Sequence, residues 1–180
     1  GKTDLVLGMR TSSTQSLVLL FLYDPSLVSG RDFTMRTGFV VAGQIQDVLA
    51  LDLLEDDQHD VDIVVSTETS ATAGSVEVWH NRGDNTFGFG STPSVTPNDT
   101  ADPGGSPLSL LAAKLDNDVF PDLVVGTRQG TSYTGQVVLY RAYGYLPSTG
   151  TVISTTGVGE VITMSAGDFN KDGAPDVTTG

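Results

Sequence analysis

The densest chemistry in the chain lies near its end, where residues 167–180 read GDFNKDGAPDVTTG. Asp168, Asn170 and Asp172 alternate at i, i+2 and i+4, so a tightly turning backbone points three oxygen-bearing side chains inward. Gly173 permits the sharp turn, the carbonyl of Ala174 offers a further oxygen, and Asp176 returns a carboxylate at i+8. Hard oxygen donors at this density suit Ca²⁺ better than a softer metal. The plainer alternative is a solvated acidic turn. An EF-hand fails on spacing, because its twelfth position needs a bidentate Glu and Thr179 stands there, between strand-like rather than helical flanks.

A loop of this kind needs elements that hold its two ends, and repetition supplies them. DLVLG starts at Asp4, DIVVS at Asp62, DLVVG at Asp122 and DVTTG at Asp176, a period of roughly 54–60 residues. Each is a short apolar or β-branched run opened by Asp, the pattern of a strand leaving a turn. A second strand follows in each unit: SLVLLF from Ser16, SVEVWH from Ser75 and QVVLYR from Gln136, with Leu20, Trp79 and Tyr140 expected at one equivalent position. A third match precedes each acidic loop: VLALDL from Val48, LLAAKL from Leu110 and MSAGDF from Met164. It aligns Ala50, Ala112 and Ala166. One more, outer strand per unit is expected in stretches such as Arg31–Ala42 and Thr149–Thr156. No helical period appears. A β-sandwich also has many short strands but would not repeat its loop chemistry at this interval. The fold class is therefore all-β, made of β-propeller blades: about three four-stranded repeats over residues 4–61, 62–121 and 122–175, a fourth begun at 176–180, and one propeller segment over 1–180. A usual propeller has four to eight blades, so further chain or association of copies is expected.

DFNKDGAPDVTTG resembles the FG-GAP/VCBS repeat, the calcium-loop blade of integrin-α-like propellers. DLVVG after Pro121 is similar to the strand that follows the loop in that family, and NRGDNTFGFG at Asn81–Gly90 resembles its turn between third and fourth strands. The resemblance covers essentially the whole chain. It implies a propeller with cation loops between the first and second strands of a blade, and it does not imply a ligand.

The other loops depart from the pattern. Aligned on Asp122, the middle loop reads KLDNDVFPD, with Lys114 in place of Asp168 and Val119 in place of the turn Gly. Asp116, Asp118 and Asp122 remain, but Lys114 could replace the metal's charge beside Asp118 and Asp122, so this loop is expected to be metal-free. The earlier loop, DLLEDDQHDVD, is two residues longer; Asp52, Asp56, Asp57, Asp60 and Asp62 make it a possible second Ca²⁺ site of unclear register. Gly1–Asp4 match only the closing half of a loop.

Nine Lys and Arg against 22 Asp and Glu give a net charge of −13. That disfavours nucleic acid and anionic membrane, which need basic patches, and no apolar run is long enough to span a bilayer. With no Cys, disulfides, thiol catalysis and thiolate metal sites are absent together. Arg82-Gly83-Asp84 spells an integrin-recognised tripeptide, but Gly and Asp fit that turn for backbone reasons. Trp79 and Tyr140 are either a sugar-stacking platform or packing between blades, and their alignment with Leu20 favours packing. His80 is expected to face solvent, and His59 lies in an acidic loop without a catalytic partner arrangement. The sequon at Asn98 would be open to glycosylation only in a secretory setting. Carboxylates repeated in loops argue for structure more than catalysis. The expected object is an extracellular or cell-surface, calcium-stabilised, non-catalytic binding, adhesion or structural module, with a protein or glycan ligand on a propeller face. Alternatives are a polysaccharide lyase or hydrolase, or a self-assembling subunit.

Overall fold

A computed structural model describes residues 4–26, 33–53, 60–83, 87, 89–91, 94–130, 134–155 and 159–180. The Asp-led apolar runs all form strands, and no helix occurs among the described residues. The first sheet is β1 (Leu5–Arg10), β2 (Gln15–Tyr23) and β3 (Phe33–Ala42). The second holds β4 (Gln44–Leu51), β5 (Asp62–Ser70) and β6 (Ala73–Trp79). After a small hairpin, β7 (Phe89–Ser91) and β8 (Ser94–Thr96), it closes with β9 (Asp99–Ala101). The third is β10 (Ser106–Ala113), β11 (Asp122–Gln129), β12 (Thr134–Tyr140) and β13 (Thr151–Thr155). A pair, β14 (Met164–Gly167) and β15 (Asp176–Thr179), begins the next. Every pairing between these strands is antiparallel and follows chain order within its sheet. These are propeller blades. The expected outer strands are β3 and β13. The acidic loops lie between first and second strands, so each Asp-led repeat begins at a blade's second strand.

Register supports most of the repeat alignment. Ala50 pairs with Ile63, Ala112 with Leu123 and Ala166 with Val177, one residue beyond the repeated Asp each time. One expected equivalence is corrected. Ile63 pairs with Trp79 and Leu123 with Tyr140, but Leu5 pairs with Phe21, so Phe21 rather than Leu20 shares that position. The run LVLLF is apolar at every residue and carries no alternation to fix which side chain faces which side.

The core is a series of seams between blades. Trp79 and Tyr140 are 1% and 0% exposed, so they pack and offer no sugar platform. Trp79 stacks on Phe39 of the first blade, centroids 4.0 Å apart, among Val18, Leu20, Ile63 and Val65. Tyr140 lies with Val64, Val76, Val78, Leu123 and Val138 in the seam between second and third blades. Each large apolar side chain buried this way contributes roughly 1.5–3 kcal/mol.

Close approach across the seams explains the Gly that ends DLVVG. A Cβ on Gly126 would lie 2.4 Å from Ser109 Oγ and 2.6 Å from Val161 Cγ1, so only hydrogen fits. Polar ties cross the same seams. First strands β4 and β10 carry equivalent irregularities, between Ile45 and Asp47 and between Pro107 and Ser109. There the Asp47 carboxylate accepts the N–H of Leu110 at 2.8 Å, and the Ser109 hydroxyl donates to the Val161 carbonyl at 2.9 Å.

Candidate metal centre

The Asp that opens each second strand accepts a backbone N–H in every copy. Asp62 accepts N–H bonds from Leu53 at 3.2 Å on one oxygen and from Asn81 at 3.0 Å on the other. Asp122 accepts Leu115 N–H at 3.1 Å, Asp176 accepts Phe169 N–H at 3.0 Å, and Asp4 accepts Tyr23 N–H at 2.8 Å. Leu53, Leu115 and Phe169 are equivalent loop-entry residues; Tyr23 and Asn81 are equivalent exits from the third strand. At Asp62 the carboxylate is thus a clamp that ties its loop's entry to the end of the neighbouring third strand, and the other copies keep one arm of it: the loop entry at Asp122 and Asp176, the strand end at Asp4. Burial raises the pKa of Asp62 and Asp122, and the N–H bonds partly offset it. Their place in the acidic loops suggests metal ligands, and the hydrogen bonds add this second role. The signal for a clamp was already present: the Asp persists at Asp122, where Lys114 has replaced the loop's first acid.

The β14–β15 loop is the most regular. Asp168 accepts from Asp172 N–H and Gly173 N–H, each at 3.0 Å, one on each oxygen. Asn170 Oδ1 accepts Asp172 N–H at 2.8 Å, and Asp172 Oδ1 accepts Ala174 N–H at 2.8 Å. Asn170 Nδ2 donates to Asp172 Oδ2 at 2.9 Å. Lys171, at φ 65°, and Gly173, at φ 90°, make the left-handed turns that wind the backbone under these side chains. The Ala174 N–H, then the Asn170 amide, hold the Asp172 carboxyl below the usual carboxylate range.

The β10–β11 loop keeps part of this. Asp116 accepts Asp118 N–H at 3.0 Å and Asp118 accepts Phe120 N–H at 2.9 Å. Arg141 pairs with Asp116, its Nη1 3.0 Å from Asp116 Oδ2. The Asp118 N–H, then Arg141, lower the Asp116 pKa. Arg141 arrives from the end of β12, so the spacing within the loop does not point to it. In the β4–β5 loop, Asp52 and Asp60 are half-buried and Asp62 is buried; Asp56 and Asp57, like His59, lie outside the described residues.

A family model described as an FG-GAP-like repeat matches residues 56–125 and again 114–179, together more than half the chain. The chain belongs to the FG-GAP repeat family. Each FG-GAP match runs from one acidic loop through the next, and the two overlap on the β10–β11 loop and the start of β11. No curated protein matches the chain significantly.

Among the described residues, no three acidic or histidine side chains converge into a ready metal cage. The donor chemistry of the last FG-GAP loop nevertheless fits a hard cation. A carboxylate has about four lone-pair sites, so two N–H bonds on each carboxylate leave acceptor capacity on Asp168, Asp172 and Asp176. With Asn170 Oδ1 and the Ala174 carbonyl, these residues would hold the ion. Other predicted features are placed as follows. His80 does not face solvent: its ring is largely covered, with Nε2 3.7 Å from Asp99 Oδ2, and its backbone N–H donates to Asn98 Oδ1 at 2.8 Å. That bond also engages the sequon Asn. Gly83, at φ 75°, makes the turn within Arg82-Gly83-Asp84, and Asp84 lies outside the described residues.

Proposed function

We propose that this FG-GAP segment is a calcium-stabilised, non-catalytic binding module of an extracellular or cell-surface protein. The observation that carries the reading is the β14–β15 loop, where four oxygen-bearing side chains are gathered into one turn by its own backbone N–H groups. An ion there would be held by Asp168, Asn170, Asp172, Asp176 and the Ala174 carbonyl. It would supply charge neutralisation and rigidity rather than reaction chemistry. Asp62, Asp122 and Asp116 in the earlier loops are engaged by backbone N–H groups or an ion pair, which supports a structural role for repeated acid. Among the described residues, no helix is long and apolar enough to cross a membrane. The test is a thermal melt with Ca²⁺ and with EDTA. Calcium should raise the midpoint and chelation should lower it; superimposable curves would remove the metal from the proposal.

Self-association is a second reading, favoured by one observation. Leu5, Leu7 and Met9 are exposed along one face of β1, whereas the corresponding face of β5 is buried against the first blade. Sedimentation equilibrium would decide it, since a monomer at all concentrations rejects this reading.

A further inference from the structure

The two aromatic side chains that sequence alone offered as a sugar platform are buried, yet the structure exposes another pair. Tyr143 and Tyr145 are 55% and 52% exposed, in the link between β12 and β13. Their presentation is fixed. Ala142 and Leu146 on either side are buried in the seam between second and third blades. The Leu146 N–H is held at 3.1 Å by the carboxylate of Asp99, which belongs to the second blade. Gly144 between them takes φ 77°, and the Tyr143 N–H meets the Tyr145 carbonyl at 3.3 Å. A Cβ on Gly144 would lie 3.5 Å from the Phe120 ring, so the β10–β11 loop supports this turn from beneath. Buried residue, exposed ring, left-handed glycine, exposed ring, buried residue is an arrangement that presents two aromatic faces with little left to order on binding.

The same loops set the polar surroundings. Arg141 pairs with Asp116 beside the turn, with about half of the arginine side chain exposed. Exposed Val119 stands in the loop beneath. The net charge of −13 disfavours an anionic partner, and the Arg141–Asp116 pair is neutral as a whole, so it offers hydrogen-bonding groups rather than net charge. A neutral polyhydroxylated chain suits both constraints. Tyrosine rings pack on the apolar faces of sugar rings, and a guanidinium–carboxylate pair offers donors and acceptors to hydroxyls.

Resting on the binding-module reading above, we infer that Tyr143 and Tyr145, with the Arg141–Asp116 pair, form a binding platform for a neutral glycan on the loop face of the third blade. The test uses the full chain with Ca²⁺ present and a panel of neutral oligosaccharides: cellohexaose, laminarihexaose, mannohexaose and chitohexaose. Binding is read by saturation-transfer NMR and calorimetry. At least one glycan should bind. The double variant Tyr143→Ala/Tyr145→Ala should weaken it at least tenfold with an unchanged melting temperature, and Tyr143→Phe/Tyr145→Phe should retain most of the affinity. Binding that survives the double Ala variant would overturn the platform and leave the binding-module reading standing. Failure of every glycan, or binding only to a lysine-rich peptide, would overturn the platform too. A flat calcium melt beside glycan binding lost in the double Ala variant would reject the metal alone.

Discussion

The β10–β11 and β14–β15 loops have the same length between equivalent residues, but only the second winds through left-handed turns. Both contain the same two local bonds: Asp118 N–H to Asp116 and Phe120 N–H to Asp118 in one, Asp172 N–H to Asn170 and Ala174 N–H to Asp172 in the other. One difference lies at the entry position. Asp168 places its two oxygens on the N–H groups of Asp172 and Gly173. Lys114 has no acceptor with which to do this. Among the described non-glycine residues only Lys171 has positive φ, so neither Asn117 nor Val119 follows its counterpart into the left-handed region. Lys114 at the entry and Val119 in place of the turn glycine are thus two of the differences between an oxygen-lined turn and one closed by an Arg141–Asp116 pair. The closing Asp survives in both because it serves the blade rather than the loop.

The largest expected effect concerns calcium itself. At a free concentration one hundred times its dissociation constant, Ca²⁺ bound to the β14–β15 loop would stabilise the fold by about 2.7 kcal/mol. Asp168→Ala should abolish that response and Asp116→Ala should leave it intact; equal losses in calcium-dependent melts would collapse the contrast between the loops. Next comes the clamp. Asp122→Ala leaves the Leu115 N–H without its acceptor in a residue that is 0% exposed, and urea unfolding should show a loss of about 2 kcal/mol. Asp176→Ala, at a more exposed site, should cost less in calcium-free buffer. A smaller effect tests the backbone. Gly173→Val forces a β-branched residue to φ 90° with open space around its Cβ, so the cost is conformational, about 1–2 kcal/mol. Val119→Gly should change stability by no more than about 1 kcal/mol.

The smallest effect is an opposition in pH dependence. The folded pKa of Asp122 is raised by burial. Its contribution is therefore most favourable below the unfolded value of about 3.9 and is lost as pH rises through the folded pKa. The Asp172 pKa is lowered, so its contribution is present above about 3.9 and is lost as pH falls through the folded pKa. In calcium-free unfolding from pH 3 to pH 7, wild type minus Asp122→Asn should decline with pH, whereas wild type minus Asp172→Asn should rise. Parallel slopes would contradict the two environments described for these carboxylates.

The blades were legible in the sequence because their Asp-led runs repeat and β-branched residues mark the strands. The last loop was legible because alternating oxygen donors and a glycine are local features. What escaped had non-local causes. Phe21 was displaced by Leu20 because an entirely apolar run has no face to read. Arg141 reaches Asp116 only once β12 has crossed the sheet. The pairing of Trp79 with Phe39 required two blades to meet, and no spacing within one repeat encodes it.

The ties at the irregular first strands carry a consequence for how the segment comes apart. Leu110 N–H is satisfied by Asp47 of the preceding blade, not by its own sheet. Its hydrogen–deuterium exchange therefore clocks separation of two blades, whereas amides inside β11 clock the melting of one. If the seam yields first, Leu110 should label ahead of Val124 and Val125, and the chain would loosen like a stack of plates before any plate breaks.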